Sequence, residues 1–174
     1  MDNKSVNGNK TKILFVCLGN ICRSPAAEEI MRCTVARAGL SAAVEIDSAG
    51  TYGGHRGERP DPRMRVAASR RGYNLTHRSR QVCEEDFHAF DRIVVMDDNN
   101  YETLHRLAPS RALGDKIERM RDWLSPERFP DRTYIPDPYY EGAEGFELVL
   151  DMLEDACANM VGRGLGATTP KVSS

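Results

Sequence analysis

The chain has 174 residues, with 24 lysines and arginines against 26 aspartates and glutamates, and a formal net charge of −2 at pH 7. This length suits one compact domain, and the near balance of charge gives no reason to expect nucleic acid or a membrane surface as a partner. No apolar run approaches the ~20 residues that a membrane-spanning helix needs.

Strand and helix patterns alternate along the chain. In order, the sequence predicts a buried strand over Lys12–Val16, a helix capped by Ser24 and ended by Gly39, a strand over Val44–Gly50, a helix from Asp61 to Gly72, a strand over Arg92–Met96, a helix from about Asn99 to Leu107 and a last helix from about Phe146 to Met160. Ile117–Leu124 is ambiguous between strand and helix, and Pro126–Tyr140 reads as a long loop.

This alternation predicts an α/β three-layer sandwich, in which a parallel sheet carries helices on both faces. In such folds, ligands bind at the carboxyl ends of the strands, where Cys17 and Asp97 are predicted to lie. We expect the domain to span residues 12–163. The polar segment 1–11 is expected to be a disordered extension, and 164–174 a flexible tail.

Five cysteines occur, at positions 17, 22, 33, 83 and 157. An odd number of cysteines, behind an N-terminal segment without the apolar core of a signal peptide, favours reduced thiols in a cytoplasmic protein. A structural zinc site would need a second closely spaced pair besides Cys17 and Cys22, and none follows. We therefore expect no structural zinc.

The most informative stretch is Cys17-Leu18-Gly19-Asn20-Ile21-Cys22-Arg23-Ser24, between the first strand and the first helix. Backbone N–H groups at a helix N-terminus attract anions, and Gly19 and Asn20 suit the unusual backbone of an anion-binding loop. Arg23 can add bidentate hydrogen bonds to a phosphoryl group. The same surroundings favour a thiolate, so the loop predicts that Cys17 is a nucleophile directed at phosphorus.

A phosphatase also needs an acid that protonates the leaving oxygen. Asp137 is the best candidate because a proline on either side restrains it, and Tyr139 and Tyr140 follow as possible walls of a slot for a planar group. The alternative that stays open is an ordinary turn with surface tyrosines.

The chain resembles the low-molecular-weight protein tyrosine phosphatases from about Lys12 to Met160. The matching pieces are the stretch from Val16 to Ala26, Asp47-Ser48-Ala49-Gly50-Thr51, Asp61-Pro62-Arg63, Met96-Asp97-x-x-Asn100 and Asp137-Pro138-Tyr139. The resemblance implies a four-stranded parallel sheet. It also implies an enzyme that hydrolyses phosphotyrosine and aryl phosphates through a phosphocysteine intermediate, without a metal or another cofactor.

The same resemblance assigns the catalytic roles. Cys17 would attack phosphorus, Arg23 would bind the phosphoryl group, and Asp137 would act as general acid and then general base. Ser24 would support the thiolate. Cys22 would form a protective disulfide with Cys17 under oxidising conditions, so the enzyme would be redox-regulated.

The resemblance also implies supporting and wall residues. Asn20 would hold the loop through a network that includes His77, while Asp97 would bind the arginine side of the loop. The phosphate loop would consist of Leu18, Gly19, Asn20, Ile21, Cys22 and Ser24. The entrance would be lined by Leu18, Ile21, Tyr52, Tyr139 and Tyr140. Relatives that resemble protein arginine phosphatases carry threonine at the position of Ile21, so isoleucine favours phosphotyrosine.

Several alternatives stay open. An arsenate reductase of the same fold would need two further cysteines on a mobile segment, where Cys83 stands alone. A protein arginine phosphatase is a second possibility, and a phosphotyrosine-binding module without activity is a third. The expected partners are phosphotyrosine-containing proteins and a phosphate or other oxyanion in the loop, with the chain a monomer or weak dimer.

Overall fold

The computed structural model describes residues 10–165, and every structural statement below concerns these residues. Four strands form one sheet: β1 (Thr11–Cys17), β2 (Val44–Gly50), β3 (Arg92–Val95) and β4 (Ile117–Arg119). All neighbouring strands pair in parallel, in the order β2-β1-β3-β4. The predicted α/β architecture with a four-stranded parallel sheet is therefore confirmed.

The helices of the described chain are α1 (Arg23–Arg37), α2 (Pro62–Ser69), α3 (Glu84–Ala89), α4 (Asp98–Leu107), α5 (Arg111–Gly114) and α6 (Ala143–Gly162). The short helices α3 and α5 were not predicted, because neither is long enough to show a helical repeat of apolar residues. The ambiguous segment Ile117–Leu124 is both: β4 runs into a 3-10 turn at Met120–Trp123.

The sheet separates two apolar cores, as expected for three layers. Successive side chains of a strand point to opposite faces, so Phe15 joins the core beneath α1 and α6, while Leu14 and Val16 join the core beneath α3 and α4. All three are fully buried. Because β1 is central and covered on both sides, its carboxyl end is a rigid support for the residues that follow.

Three loops meet at that end of the sheet. The loop after β1 lies beside the loop after β2, since Thr51 and Tyr52 donate backbone hydrogen bonds to Cys17 and Leu18 over 3.0 and 2.9 Å. The long loop before α6 is tied to the end of β3 by a 2.8 Å hydrogen bond from the Ile135 N–H to the Met96 carbonyl. Residues distant in sequence thus converge at one edge.

The predicted terminal segments lie mostly outside the described residues. Near the start of the described range, Thr11 belongs to β1. At its end, the Leu165 carbonyl accepts a 2.9 Å hydrogen bond from Arg92. Within residues 10–165, no helix has both the length and the apolar character required to cross a bilayer.

Candidate active site

The thiol of Cys17 faces a hydroxyl at the start of α1. Its Sγ lies 3.0 Å from the Oγ of Ser24, which also accepts a 2.8 Å hydrogen bond from the Asn20 side chain. The prediction that Ser24 caps α1 is wrong, because the helix begins at Arg23 with Cys22 at the N-cap and no side-chain cap. Ser24 is instead directed into the loop, where its hydroxyl can donate to the Cys17 sulfur.

Asn20 holds the loop in its unusual backbone conformation. Its φ of 56° is the left-handed value that asparagine tolerates, as the sequence predicted. The side-chain amide donates to Ser24 and Ser48, and its carbonyl oxygen accepts hydrogen bonds from the backbone of Arg80 and from His77 at 3.0 and 2.8 Å. All polar atoms of this buried side chain are therefore engaged.

Gly19 does not have the positive φ that the sequence analysis allowed for it. The space around it explains the glycine instead, because a Cβ there would lie 3.1 Å from the ring of His55. The missing side chain lets a ring from the loop after β2 pack directly on the phosphate loop.

A charged network supports Asn20 from behind. His77 carries a proton on Nε2, because the Asn20 oxygen facing it can only accept, and His77 Nδ1 lies 3.1 Å from Glu28 Oε1 and 3.6 Å from Asp47 Oδ1. Burial alone would raise the pKa of Glu28, but His77 and Arg32 outweigh it and lower that pKa. Glu28 is therefore ionised at neutral pH.

The same three residues, Glu28, Asp47 and His77, bring one potential ligand atom each within 4.8 Å, and within residues 10–165 no other such group of three occurs. Both carboxylates already pair with guanidinium groups, Glu28 with Arg32 at 3.2 Å and Asp47 with Arg80 at 3.0 Å. These cations oppose a metal ion, so we interpret the cluster as support for the loop.

Arg23 is buried but held in the charged state. Only 2% of the residue is exposed, and its Nη1 donates to Asp97 Oδ2 at 2.7 Å and to the Ile135 carbonyl at 3.0 Å. Burial disfavours the charge, yet the negative groups of Cys17, Asp97 and Asp137 raise the pKa of Arg23 overall. The guanidinium is fixed before any substrate binds.

Asp137 lies at the open side of the same site. Its Oδ2 is 3.6 Å from Arg23 Nη2, and its side chain is 42% exposed. The other oxygen accepts a 3.0 Å hydrogen bond from the Tyr139 N–H, which orients the carboxyl group within the loop. Asp137 therefore faces the Arg23 guanidinium and also reaches solvent.

The pocket above the loop has a volume of about 210 Å³. It is lined by Cys17, Leu18, Gly19, Ile21, Cys22, Arg23, Tyr52, His55, Asp137, Tyr139 and Tyr140. The structure thus brings together the three predicted catalytic residues and all five predicted wall residues. Tyr140 is the most exposed residue of this wall, at 93%.

His55 is the pocket residue that the sequence analysis missed. Its ring packs edge-on against Tyr52, with centroids 5.8 Å apart, and its Nδ1 lies 2.7 Å from Glu58 Oε2. The available signal was its position in the glycine-rich loop that follows the carboxyl end of β2. The Tyr52 side chain in turn lies over Gly54, in space that a side chain at that position would need.

Cys22 lines the pocket as a thiol. Burial raises its pKa far above the ordinary range, and the negative charges of Asp61, Cys17 and Asp137 raise it further. Cys22 is thus protonated at neutral pH.

A cysteine sulfur, a buried guanidinium and a half-exposed carboxyl group line one pocket at the carboxyl end of the sheet, which is the arrangement of a cysteine-dependent phosphatase. Comparison with known proteins agrees. A family model described as low molecular weight phosphotyrosine protein phosphatase matches residues 12–169, and the chain belongs to this family.

Individual relatives cover nearly all of the domain. A Synechocystis protein named as a low molecular weight protein-tyrosine-phosphatase is 49% identical to this chain over 150 residues. The match covers 86% of this chain and 94% of the Synechocystis protein. A crystal structure of a protein tyrosine phosphatase from Entamoeba histolytica, with Hepes in the active site, has a TM-score of 0.84 at 44% identity and covers 88% and 96% of the two chains. A Drosophila arginine phosphatase has a TM-score of 0.80 at 29% identity, covering 88% and 97%.

Proposed function

We propose that the protein removes phosphate from phosphotyrosine in proteins, with Cys17 as nucleophile, Arg23 as phosphate ligand and Asp137 as general acid and base. The observation that carries the proposal is the convergence of these three side chains on one pocket. Each is necessary for one part of the reaction, and they come from two loops more than 100 residues apart in the chain.

In the first step, the Cys17 thiolate attacks phosphorus and an S–P bond forms as the P–O bond to the tyrosyl oxygen breaks. Asp137 gives its proton to that oxygen, so tyrosine leaves as a neutral phenol. Arg23 and the N–H groups of the loop bind the phosphoryl oxygens, where negative charge develops in the transition state. The hydrogen bond from Ser24 supports the sulfur anion before the attack.

In the second step, water attacks the phosphocysteine. The Asp137 carboxylate takes a proton from this water, the S–P bond breaks, and inorganic phosphate and the Cys17 thiolate are released. Ser24 then stabilises sulfur as the leaving group. Asp137 has both the solvent access and the position facing Arg23 that these two roles require.

The pocket walls support an aryl phosphate as substrate. Tyr52 and Tyr139 offer aromatic surface to a planar ring, and Ile21 is apolar where arginine phosphatases are expected to carry threonine. The Entamoeba structure, which has the sulfonate buffer Hepes in its active site, supports binding of an oxyanion at the corresponding site here.

The decisive test is turnover of p-nitrophenyl phosphate in the presence of EDTA, by the wild type, Cys17→Ser and Cys83→Ser. We expect the first substitution to lower kcat by roughly 10³-fold or more, because it removes the nucleophile. The exposed Cys83 is the matched control and should leave kcat unchanged. Equal rates for the wild type and Cys17→Ser would refute the proposal.

The arginine phosphatase alternative is separated by substrate. We expect kcat/KM to be higher for a phosphotyrosine peptide than for a phosphoarginine peptide of the same sequence. Ile21→Thr should narrow the difference, since it places a hydroxyl where the wild type has only apolar surface. A preference for phosphoarginine in the wild type would reverse the assignment.

We also propose that Cys22 protects Cys17 from irreversible oxidation. A thiolate is oxidised to sulfenic acid, which condenses with a neighbouring thiol to give a disulfide and water. After peroxide treatment followed by dithiothreitol, the wild type should recover more activity than Cys22→Ser. Equal recovery would exclude this role.

We further propose that the catalytic domain spans residues 12–163. The protein would act in the cytoplasm, as a monomer or weak dimer, on phosphotyrosine-containing proteins.

A further inference from the structure

The wall of the active-site pocket is shared with a second depression on the surface. Arg63 donates from Nη1 to the Tyr139 carbonyl over 2.9 Å, and its guanidinium lies 5.2 Å from the centre of the Tyr139 ring. The same guanidinium also lies 4.9 Å from the centre of the Phe146 ring. Asp61 fixes this arrangement by accepting hydrogen bonds from Arg63 Nε and Nη2.

Beyond Arg63, a groove runs between α2 and the beginning of α6. It has a volume of about 410 Å³, larger than the pocket that it adjoins. Part of its lining is apolar: Ala67 and Phe146 are buried, whereas Val66 is 52% exposed. An exposed branched side chain beside buried apolar residues provides a surface onto which an apolar side chain of a partner can pack.

The α2 side of the groove ends in positive charge. Arg70 is exposed and lines the groove, and within residues 10–165 it has no ion pair with a carboxylate, whereas Arg63 pairs with Asp61. Glu147, on the opposite side, is already paired with Arg71. Glu141, which also lines the groove, is exposed and has no ion pair within residues 10–165. Arg70 is thus the unpaired cation of the groove, and Glu141 is its unpaired anion.

The neighbouring surface strengthens the same sign of charge. Arg70 also lines a depression on the other side of α2, together with Arg59 and Arg65, and no acidic residue contributes to it. Three guanidinium groups around this depression set up a local positive field in a chain whose formal net charge is −2. Such a field favours an acidic partner.

We propose that this groove binds the peptide segment that flanks phosphotyrosine in the substrate, with an apolar side chain over Val66 and an acidic side chain at Arg70. The inference rests on the proposed function, because the groove begins where the phosphotyrosine pocket ends. Tyr139 forms one wall of the pocket, and Arg63 connects that wall to the groove.

The dimensions fit a short extended peptide. Along an α-helix the rise is about 1.5 Å per residue, so Arg63 and Arg70 are about 10 Å apart along the axis. An extended chain covers this distance with about three residues at ~3.4 Å each. The apolar and acidic positions of the substrate should therefore both lie within about five residues of the phosphotyrosine.

The test uses four phosphotyrosine peptides of equal length that are identical outside two variable positions. Two carry leucine and glutamate within five residues on the C-terminal side or on the N-terminal side, and two carry leucine and lysine in the same places. Arg70→Glu should lower kcat/KM about three- to tenfold for one glutamate peptide and raise it for the matching lysine peptide. Val66→Ser should lower kcat/KM for both peptides of that pair.

Two controls separate the groove from the catalytic site. The small substrate p-nitrophenyl phosphate has no peptide segment to extend into the groove. Arg70→Glu and Val66→Ser should therefore retain the wild-type kcat/KM for this substrate. Arg106→Glu, an exposed charge reversal on α4, should leave all four peptides unchanged. If the wild type cleaves p-nitrophenyl phosphate but Arg70→Glu does not change the preference between glutamate and lysine, the groove proposal is overturned while the function stands. If the wild type did not hydrolyse p-nitrophenyl phosphate at all, the proposed function itself would be refuted.

Discussion

The carboxyl group of Asp97 binds the Arg23 guanidinium and also caps the N-terminus of α4. One oxygen accepts the 2.7 Å hydrogen bond from Arg23 Nη1, and the other accepts a 2.8 Å hydrogen bond from the Asn100 N–H at the helix start. The Asn100 side chain closes the capping box by accepting from the Asp97 N–H at 3.2 Å. The position of the Arg23 guanidinium is therefore tied to the N-terminal end of α4.

This relationship predicts different outcomes for two substitutions of Asp97. Asp97→Asn keeps an oxygen for the cap but removes the charge that faces the buried Arg23, so kcat/KM for p-nitrophenyl phosphate should fall about tenfold and the free energy of unfolding should also fall. Asp97→Ala should also lose about 1 kcal/mol of unfolding free energy, because the cap is lost. Steady-state kinetics and urea unfolding measure both effects. Wild-type kinetics in the two variants would show that Asp97 does not position Arg23.

The loss of rate on replacing Asp137 should depend on the leaving group. Asp137→Asn cannot protonate the leaving oxygen, so phenyl phosphate, whose phenol is a weak acid, should lose more rate than p-nitrophenyl phosphate, whose phenol leaves easily as an anion. The measurement is kcat for a series of aryl phosphates plotted against the pKa of the phenol. A steeper slope than the wild type is expected. Parallel plots would assign the proton to another group.

The left-handed conformation of Asn20 can be separated from its hydrogen bonds by a pair of variants. Asn20→Gly keeps the positive φ at low cost but removes the side-chain network, whereas Asn20→Ala removes the network and adds about 1–2 kcal/mol of backbone strain. Both variants should be less active than the wild type, and Asn20→Ala should be the less stable of the two. Thermal unfolding decides this order. If alanine equals glycine in stability, the φ of 56° carries no strain.

Acid stability should depend on Asp61, which joins α2 to the phosphate loop. The hydrogen bonds from the Arg63 side chain lower the pKa of Asp61, although partial burial opposes them, and the Asp61 N–H donates to the Ile21 carbonyl over 2.8 Å. Because the folded pKa lies below the unfolded one, the carboxylate stabilises the fold above about pH 4. This stabilisation is lost as the pH falls through the folded pKa.

Asp61→Asn retains an oxygen for the helix cap and removes the titration. We expect the variant to unfold at lower urea concentration than the wild type at pH 7, and the difference to shrink as the pH falls below 4. A difference that stays constant between pH 7 and pH 3 would contradict the linkage of Asp61 to folding. Asp98→Asn, an exposed carboxylate outside this contact, is the control.

Local patterns predicted the parts of the fold that chain-local physics determines. The apolar run of β1, the alternating pattern of β2 and the Asp-Pro start of α2 gave elements whose bounds differ from the structure by few residues. The placement of Cys17 and Arg23 on one loop after β1 was predicted from the same kind of local pattern. In each case, the deciding interactions lie within one turn or one strand of the residue concerned.

What the sequence could not predict depends on contacts between distant segments. Ser24 looked like a helix cap because serine before proline favours that place, but its hydroxyl is recruited by Asn20 and Cys17. His55 carried no motif, and its place in the pocket follows from its packing on Gly19. The shared wall at Arg63 likewise requires Tyr139 and Phe146, which are distant in the chain.

The occupation of space above Gly54 by the Tyr52 hydroxyl has an evolutionary consequence. A homologue with a side chain at the glycine position must turn the tyrosine aside or shorten it, so the present position of the Tyr52 ring requires a glycine at position 54. The entrance can keep its aromatic surface by moving the ring from one position to the other. Across homologues, the two positions should therefore covary in size, with an aromatic residue at one accompanied by a small residue at the other.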